Sequence, residues 1–198
     1  MFVGYPILMR PARVAIIIGH EKKAQGALLQ GGQKKIITEY EYNLKVAAAM
    51  KELSKHYNCE VATFLRDNIG RQAVKKQAVE WGPDVILELH FNSSDKRDVA
   101  GAEILCNKYY SDLPLPKMIL GECVRIFGGK NRGIKIPGPD DNGFMNVKCI
   151  LPLFLLEPFF GSNEVQAQTA LINVVEYAQS LLSCVEEIYA NNPAQRVN

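Results

Sequence analysis

The stretch Val85–Ser93, VILELHFNS, decides the fold class that we predict for the whole chain. Its apolar residues at positions 85, 86, 87 and 89 predict a buried central strand. His90 and Asn92 follow at the point where that strand would leave the sheet. In open α/β sheets, ligands bind in the crevice outside the carboxyl ends of the strands. His90 is therefore placed to bind a metal or to move a proton, although a lone histidine is more often structural.

Two further apolar runs also end in a residue that can bind a metal or transfer a proton. The β-branched run at 14–18, VAIII, leads through Gly19 to His20, and the run at 150–156, ILPLFLL, leads to Glu157. If the three strands are parallel neighbours, their carboxyl ends share one edge of the sheet. We then expect His20, His90 and Glu157 to converge there, which favours a functional role for His90.

The remaining pattern predicts a single α/β domain with helices on both faces of the sheet. We predict helices at 38–56, 68–81, 117–127 and 162–189, and further strands at 59–65, 102–106 and 134–136. Thr38 is the expected N-cap of the first helix, with Glu41 at the capping-box spacing, and Ser162 is the expected cap of the last helix. The segments 107–116 and 128–143 are predicted to be mostly loop, because they are rich in turn-forming residues.

Composition places the chain among ordinary globular proteins. Its 198 residues are 47% apolar and 22% charged, and a net charge of +2 is too small to indicate nucleic acid as a partner. The five cysteines are scattered without a CxxC pair, which favours reduced thiols over disulfides or a cysteine-ligated metal. No apolar stretch reaches the roughly 18 residues of a membrane span. Residues 1–13 lack the features of a secretory signal peptide.

Two histidines and one carboxylate form a common ligand set for catalytic zinc, with one position left open for water. Glu39 is a candidate for the carboxylate, because it lies in the first turn of the helix that follows the His20 strand. Glu21 and Glu41 are rivals, and Glu41 has an alternative role in the capping box. The spacing of these residues leaves the choice among the three open.

Two other glutamates need an explanation. Glu157 could take a proton from water and pass it to a leaving amine, or it could pair with an arginine such as Arg132. Glu88 lies inside the predicted strand on the same face as His90, and a buried glutamate is costly unless it is paired. We therefore interpret Glu88 as a hydrogen-bonding support for a metal ligand.

The chain resembles the zinc-dependent N-acetylmuramoyl-L-alanine amidases of the Amidase_3 type, which include bacterial cell-wall hydrolases and phage endolysins. The similarity spans most of the chain, from about 20 to 163, and the blocks occur in the family's order. They are VAIIIGH (14–20) with the turn at 25–27, TEYEYNLKVA (38–47), ILELHFNS (86–93), NRGIK (131–135) and LFLLEPFFGSN (153–163). Two positions depart from the family's usual pattern: Glu21 replaces a glycine, and Glu88 replaces a small or polar residue.

The resemblance implies a fold, a metal and a reaction. The fold would be a mixed, mostly parallel sheet of about six strands flanked by helices. One zinc ion (Zn2+) would be held by His20, Glu39 and His90, which selects Glu39 over its rivals, and Glu157 would be the catalytic glutamate. The substrate would be peptidoglycan, cut at the amide bond between N-acetylmuramic acid and L-alanine. Glu88, Asn92 and Arg132 are further candidates for ligand support or substrate contact.

The resemblance also suggests a biological setting and alternatives. We expect one catalytic domain over 1–198, with a core at about 13–190 and without a separate wall-binding domain. It would act as a phage-type endolysin or a bacterial autolysin, made in the cytoplasm and reaching the wall by release or export. The alternatives are a zinc peptidase or deacylase that cuts another amide, and a non-catalytic wall-binding module. The loops at 107–116 and 137–143, with Tyr109 and Tyr110, are the hypothetical glycopeptide groove.

Overall fold

The computed structural model describes residues 10–30, 37–141 and 147–190, and these form eight strands and five α-helices. The strands are β1 (Ala12–Ile18), β2 (Leu28–Leu29), β3 (Ile37–Thr38), β4 (Cys59–Leu65), β5 (Val85–Leu89), β6 (Gly101–Cys106), β7 (Lys130–Lys135) and β8 (Leu153–Glu157). The helices are α1 (Glu39–Leu53), α2 (Gly70–Glu80), α3 (Pro114–Phe127), α4 (Glu164–Ile172) and α5 (Val174–Val185). None of the helices in the described ranges is long and apolar enough to cross a membrane.

Six of the strands form one sheet in the order β4-β1-β5-β8-β6-β7. The strands β4, β1, β5 and β8 are parallel, β6 is antiparallel to β8, and β7 is parallel to β6. This confirms the predicted mixed, mostly parallel sheet. It also confirms that β1, β5 and β8 are adjacent and parallel, so their carboxyl ends form one edge, which we call the rim.

Both faces of the sheet are covered, as the continuous apolar runs of its central strands require. The larger core lies between the sheet and the helices α1, α3 and α5, and its members include Ile16, Leu87, Met50, Ile119 and Leu181. The smaller core lies on the opposite face against α2, and its members include Ala15, Ile17, Ile86, Leu155, Val74 and Ala78. Residues of β1 and β5 therefore alternate between the two cores, as a period of two dictates.

The predicted last helix at 162–189 is wrong in its cap and its continuity. The cap is Asn163, whose side chain accepts a hydrogen bond from the backbone N–H of Gln166, whereas Ser162 accepts one from the backbone N–H of Ser94. The helix is interrupted at Asn173, which ends α4 and precedes α5. The apolar stripe continues through this break, which is why periodicity alone did not locate it.

Other boundaries also differ from the prediction, most clearly those of β7, α3 and α1. The strand β7 begins at Lys130 rather than 134, with Gly129 and Gly133 in the left-handed region that glycine tolerates. The helix α3 begins at Pro114 rather than 117, because a proline fits the first turn of a helix, where its missing N–H has no partner to lose. The helix α1 ends at Leu53, and a 3-10 turn follows to His56.

Candidate metal centre

The backbone brings the predicted site residues to the rim. His20 follows β1 after Gly19, His90 follows β5, and Glu157 is the last residue of β8. Glu39 is the first residue of α1, and its backbone N–H donates to the carbonyl of Ala27 at 2.9 Å. The chain segment after β1 and the start of α1 are thereby joined next to the rim.

The capping box at the start of α1 is present as predicted. The Glu41 N–H donates to the hydroxyl of Thr38 at 3.2 Å, and the Thr38 N–H donates to the Glu41 carboxylate at 2.9 Å. Glu41 is therefore occupied by the cap, and its rival Glu21 lies in a turn closed by a bridge to Ala24. The cluster of candidate ligands in the described residues contains neither of these two glutamates.

That cluster consists of His20, Glu39 and His90. One ligand atom from each of the three lies within 4.8 Å of the others. His90 Nδ1 is 2.9 Å from Glu39 Oε1, and His20 Nε2 is 3.2 Å from Glu39 Oε2. Two imidazole nitrogens and one carboxylate form the donor set that zinc prefers in catalytic sites, so these residues fit the metal that the sequence suggested.

Glu39 is held by four contacts, two on each of its oxygens. The backbone N–H of Phe91 donates to Oε1 at 3.1 Å, and that of Ala27 donates to Oε2 at 3.1 Å. The side chain is 3% exposed. Burial alone would raise its pKa, but the hydrogen bonds from His20 and His90 outweigh burial and lower the pKa to about 2. Glu39 is therefore ionised and fixed in place.

His90 has a carboxylate on each side of its ring. Nδ1 faces Glu39, and Nε2 lies 3.2 Å from Glu88 Oε1. Burial lowers the pKa of His90, but the hydrogen bonds to Glu39 and Glu88 more than offset it and raise the pKa to about 10. The metal-free protein therefore carries a protonated His90 at neutral pH, and a metal must displace a proton to bind there.

Two glycines make room for the cluster, and the sequence analysis did not assign them this role. A Cβ added to Gly19 would lie 2.1 Å from His90 Nε2. A Cβ added to Gly26 would lie 2.5 Å from Glu39 Oε2, and Gly26 also has a φ of +76°. The sequence placed Gly19 at the end of a predicted strand and Gly26 in a turn, but only the structure reveals that they face ligands.

Glu157 lies in a different environment from Glu39, with fewer hydrogen-bond donors around it among the described residues. Its Oε2 is buried and has no hydrogen-bond partner among the described residues. Burial raises the pKa of Glu157 to about 8, and the nearby carboxylates of Glu39 and Glu103 add to this, although His90 opposes it. A carboxyl group with this pKa can both accept and donate a proton near neutral pH.

Arg132 does not pair with Glu157. Its Nε donates to Glu103 Oε2 at 2.9 Å, while Nδ2 of Asn92 donates to Glu103 Oε1 at 2.8 Å. Glu103 is paired with Glu157 across β6 and β8, so the two carboxylates lie on the same face. Glu103 was not among the residues predicted for the site, because only the antiparallel register of β6 places it next to Glu157.

Residues 107–116 and 137–141 follow β6 and β7 at the end of the sheet away from the rim, so they do not form the predicted groove at the candidate metal centre, and residues 142–143 lie outside the described residues. Because β6 runs antiparallel to β8, Cys106 pairs with Phe154, and the chain leaves β6 at the opposite end from Glu157. There Tyr109 lines a pocket of about 380 Å³ with Ile136 and other residues. Another pocket of about 490 Å³ lies between α3 and α5. Neither is lined by a residue of the candidate metal centre.

Comparison with known proteins identifies one family. The sequence profile of the Amidase_3 family, described as N-acetylmuramoyl-L-alanine amidase, matches residues 14–186. Among curated protein sequences, none matches the chain. The matched range includes His20, Glu39, His90 and Glu157.

Several solved structures share the fold. The catalytic domain of CwlV, an N-acetylmuramoyl-L-alanine amidase from Bacillus (Paenibacillus) polymyxa var. colistinus, is 23% identical, with a TM-score of 0.70 over 89% of this chain and 97% of that chain. An N-acetylmuramoyl-L-alanine amidase from Clostridium difficile 630 is 19% identical, with a TM-score of 0.73 over 92% and 98%. The catalytic domain of the CD27L endolysin, which targets Clostridia difficile, is 21% identical, with a TM-score of 0.68 over 94% and 99%.

Proposed function

Since the chain belongs to the N-acetylmuramoyl-L-alanine amidase family, we propose that it hydrolyses the amide bond between N-acetylmuramic acid and L-alanine in peptidoglycan with the help of one zinc ion. The observation that carries the zinc part of the proposal is the convergence of His20, Glu39 and His90, whose ligand atoms lie within 4.8 Å of one another. Their position at the carboxyl edge of a mostly parallel sheet is where α/β folds bind ligands.

The residues divide into holders of the metal and a residue that moves protons. His20, Glu39 and His90 would hold zinc and leave one position open. When bound, zinc supplies a Lewis acid that polarises the amide carbonyl and makes water a better nucleophile. The partner-free Oε2 of Glu157 accepts a proton from the attacking water. The same group then delivers that proton to the amide nitrogen, so that the alanine leaves as a neutral amine.

The electrostatics of the rim support this division. A cation held next to Glu157 favours its ionised form, which opposes the rise in pKa caused by burial. Glu39, with a pKa of about 2, stays ionised at any pH at which the enzyme would work. One glutamate is thus suited to permanent ligation and the other to reversible protonation.

We also propose that the chain acts as an endolysin or an autolysin, made in the cytoplasm and reaching the wall by release or export. The similarity of its fold to bacterial amidases and to an endolysin catalytic domain supports both settings equally.

The products of peptidoglycan digestion test the reaction. Purified peptidoglycan is incubated with the zinc-loaded protein, with Glu157→Gln and with Glu52→Gln, an exposed control on α1, and the fragments are analysed by mass spectrometry. We expect intact glycan strands and stem peptides with a free N-terminal L-alanine from the wild type and the control only. Cleavage within the stem peptide would indicate a zinc peptidase instead. Binding to the wall without release of fragments would indicate a binding module.

A further inference from the structure

Glu88 is a charged residue in an apolar environment. It lies in the interior of β5, and its register partners on the adjacent strands are Ile17 and Leu155. Its side chain is 4% exposed. Burial of a carboxylate among apolar side chains is costly unless the charge is paired and hydrogen-bonded. Glu88 therefore requires a partner with a specific geometry.

That partner is His90, through the ring nitrogen that faces away from Glu39. Nε2 of His90 is 3.2 Å from Glu88 Oε1, and Nδ1 is 2.9 Å from Glu39 Oε1. The two nitrogens of an imidazole point in divergent directions, so Glu88 lies outside the cluster of His20, Glu39 and His90. A histidine that binds a metal through one nitrogen commonly donates its other N–H to a carboxylate.

We propose that Glu88 is a positioning residue that strengthens zinc binding by accepting the Nε2–H of His90. This hydrogen bond fixes the ring in the tautomer whose Nδ1 lone pair faces Glu39 and the metal position, and it holds the ring plane against rotation. The proposal rests on the proposed function, since it takes zinc as the ligand of the cluster.

The charge of Glu88 acts on two buried cations, Lys75 and Arg66, and for Lys75 it is the strongest of the neighbouring charges, which suggests the competing explanation. Lys75 of α2 is 5% exposed, and burial lowers its pKa while the charge of Glu88 opposes that shift. Glu88 could therefore serve only to balance the buried charge of Lys75. A purely structural role of this kind would affect the stability of the fold but not the affinity for zinc in the folded protein.

The affinity for zinc, measured by competition with a chromophoric chelator, separates the two roles. We expect Glu88→Leu to bind zinc 10- to 100-fold more weakly than the wild type, the usual range for loss of such a partner. Glu88→Gln keeps an acceptor for the Nε2–H without the charge, so we expect a smaller loss. Glu52→Gln is the control, because it removes an exposed charge from α1 away from His90, and it should bind zinc as the wild type does.

A double variant tests the competing explanation directly. If Glu88 only balances Lys75, then Glu88→Leu loses thermal stability but keeps its affinity for zinc, and adding Lys75→Met restores the stability. If Glu88 acts through His90, the double variant regains stability but still binds zinc at least tenfold more weakly. The nitrogen-15 spectrum of the zinc-loaded wild type should also show His90 protonated at Nε2.

The two proposals fail in different ways. Equal affinity of the wild type and Glu88→Leu for zinc would overturn the role of Glu88 and leave the proposed function intact. A zinc-loaded His90 protonated at Nδ1 would do the same. A wild-type protein that binds no zinc would overturn the proposed function and this proposal together.

Discussion

The two sides of the candidate metal centre are built in opposite ways. On the ligand side, which comprises His20, Glu39 and His90, both oxygens of Glu39 are engaged by backbone N–H groups and by imidazole nitrogens. On the base side, which consists of Glu157, a buried carboxylate oxygen has no partner among the described residues. The same residue type thus occupies two environments a short distance apart at one rim.

The pKa values of the two glutamates follow from this difference. Donors outweigh burial at Glu39 and lower its pKa to about 2, whereas burial and neighbouring carboxylates raise the pKa of Glu157 to about 8. Two carboxylates whose pKa values differ in this way are characteristic of sites that need one permanent charge and one reversible proton acceptor. The hydrogen-bond partners of each glutamate, rather than its residue type, therefore determine the role that we propose for it.

The largest expected effect is on turnover when the base side is neutralised. Glu157→Gln keeps the shape of the side chain but cannot accept a proton. We expect the rate of peptidoglycan hydrolysis to fall by about 10²- to 10⁴-fold, the usual contribution of a general base. Release of soluble fragments from purified walls measures it, with Glu164→Gln on α4 as an exposed control. A rate within a few-fold of the wild type would remove Glu157 from the chemistry.

The second effect is on the stability of the metal-free protein as a function of pH. Because the pKa of Glu157 is raised from about 4.5 to about 8 in the folded state, its contribution to stability is fully present below pH 4.5 and is lost as the pH rises through 8. Relative to the wild type, Glu157→Gln should therefore gain stability over this window, by on the order of a few kcal/mol. Chemical denaturation at pH 5 and pH 8.5 measures the change. A difference that is constant with pH would show that Glu157 ionises normally.

The ligand side should respond to a change in volume rather than charge. The Cβ introduced by Gly19→Ala would overlap His90 Nε2, so the ring must move. We expect affinity for zinc to fall by at least about tenfold, comparable to the loss of a supporting partner. Gly121→Ala in α3 is the control, because its Cβ would contact nothing within 4 Å. Unchanged zinc affinity in Gly19→Ala would mean that His90 is not a ligand in the position described.

The smallest effect is expected at the edge of the base side. Arg132 is bound to Glu103, and its side chain is 37% exposed whereas that of Glu103 is 13% exposed and keeps a second donor in Asn92. We expect Arg132→Gln to cost less than about 1 kcal/mol of stability. Thermal unfolding, with the exposed Arg97→Gln for comparison, measures this. A loss of several kcal/mol would show that Arg132 supports the rim more directly than its contacts indicate.

The convergence of His20, His90 and Glu157 could be predicted from the sequence, because each ends an apolar run and parallel neighbours share one edge. The choice of Glu39 over Glu21 and Glu41 could not, since all three lie within reach of the same turn. It came from a family resemblance, and the cap that occupies Glu41 now gives it a physical reason. In other chains, a glutamate at the capping-box spacing can be excluded as a metal ligand on the same ground.

The errors of the sequence analysis share a cause. The direction of β6 was not predictable from its own residues, and its antiparallel pairing moved the loop with Tyr109 to the far end of the sheet and brought Glu103 to the rim. The break at Asn173 was hidden because the apolar stripe continues across it. Both are properties of pairing and packing between elements, which local periodicity does not encode.

The zinc content of Glu157→Gln, measured together with its activity, tests the division between the ligand side and the base side most directly. The variant is purified without chelators beside the wild type and His90→Ala, and each is analysed for metal and for release of muropeptide fragments. We predict about one zinc per chain in the wild type and in Glu157→Gln, fragments from the wild type alone, and neither zinc nor fragments from His90→Ala. Loss of zinc from Glu157→Gln, or full activity of His90→Ala without metal, would contradict the account.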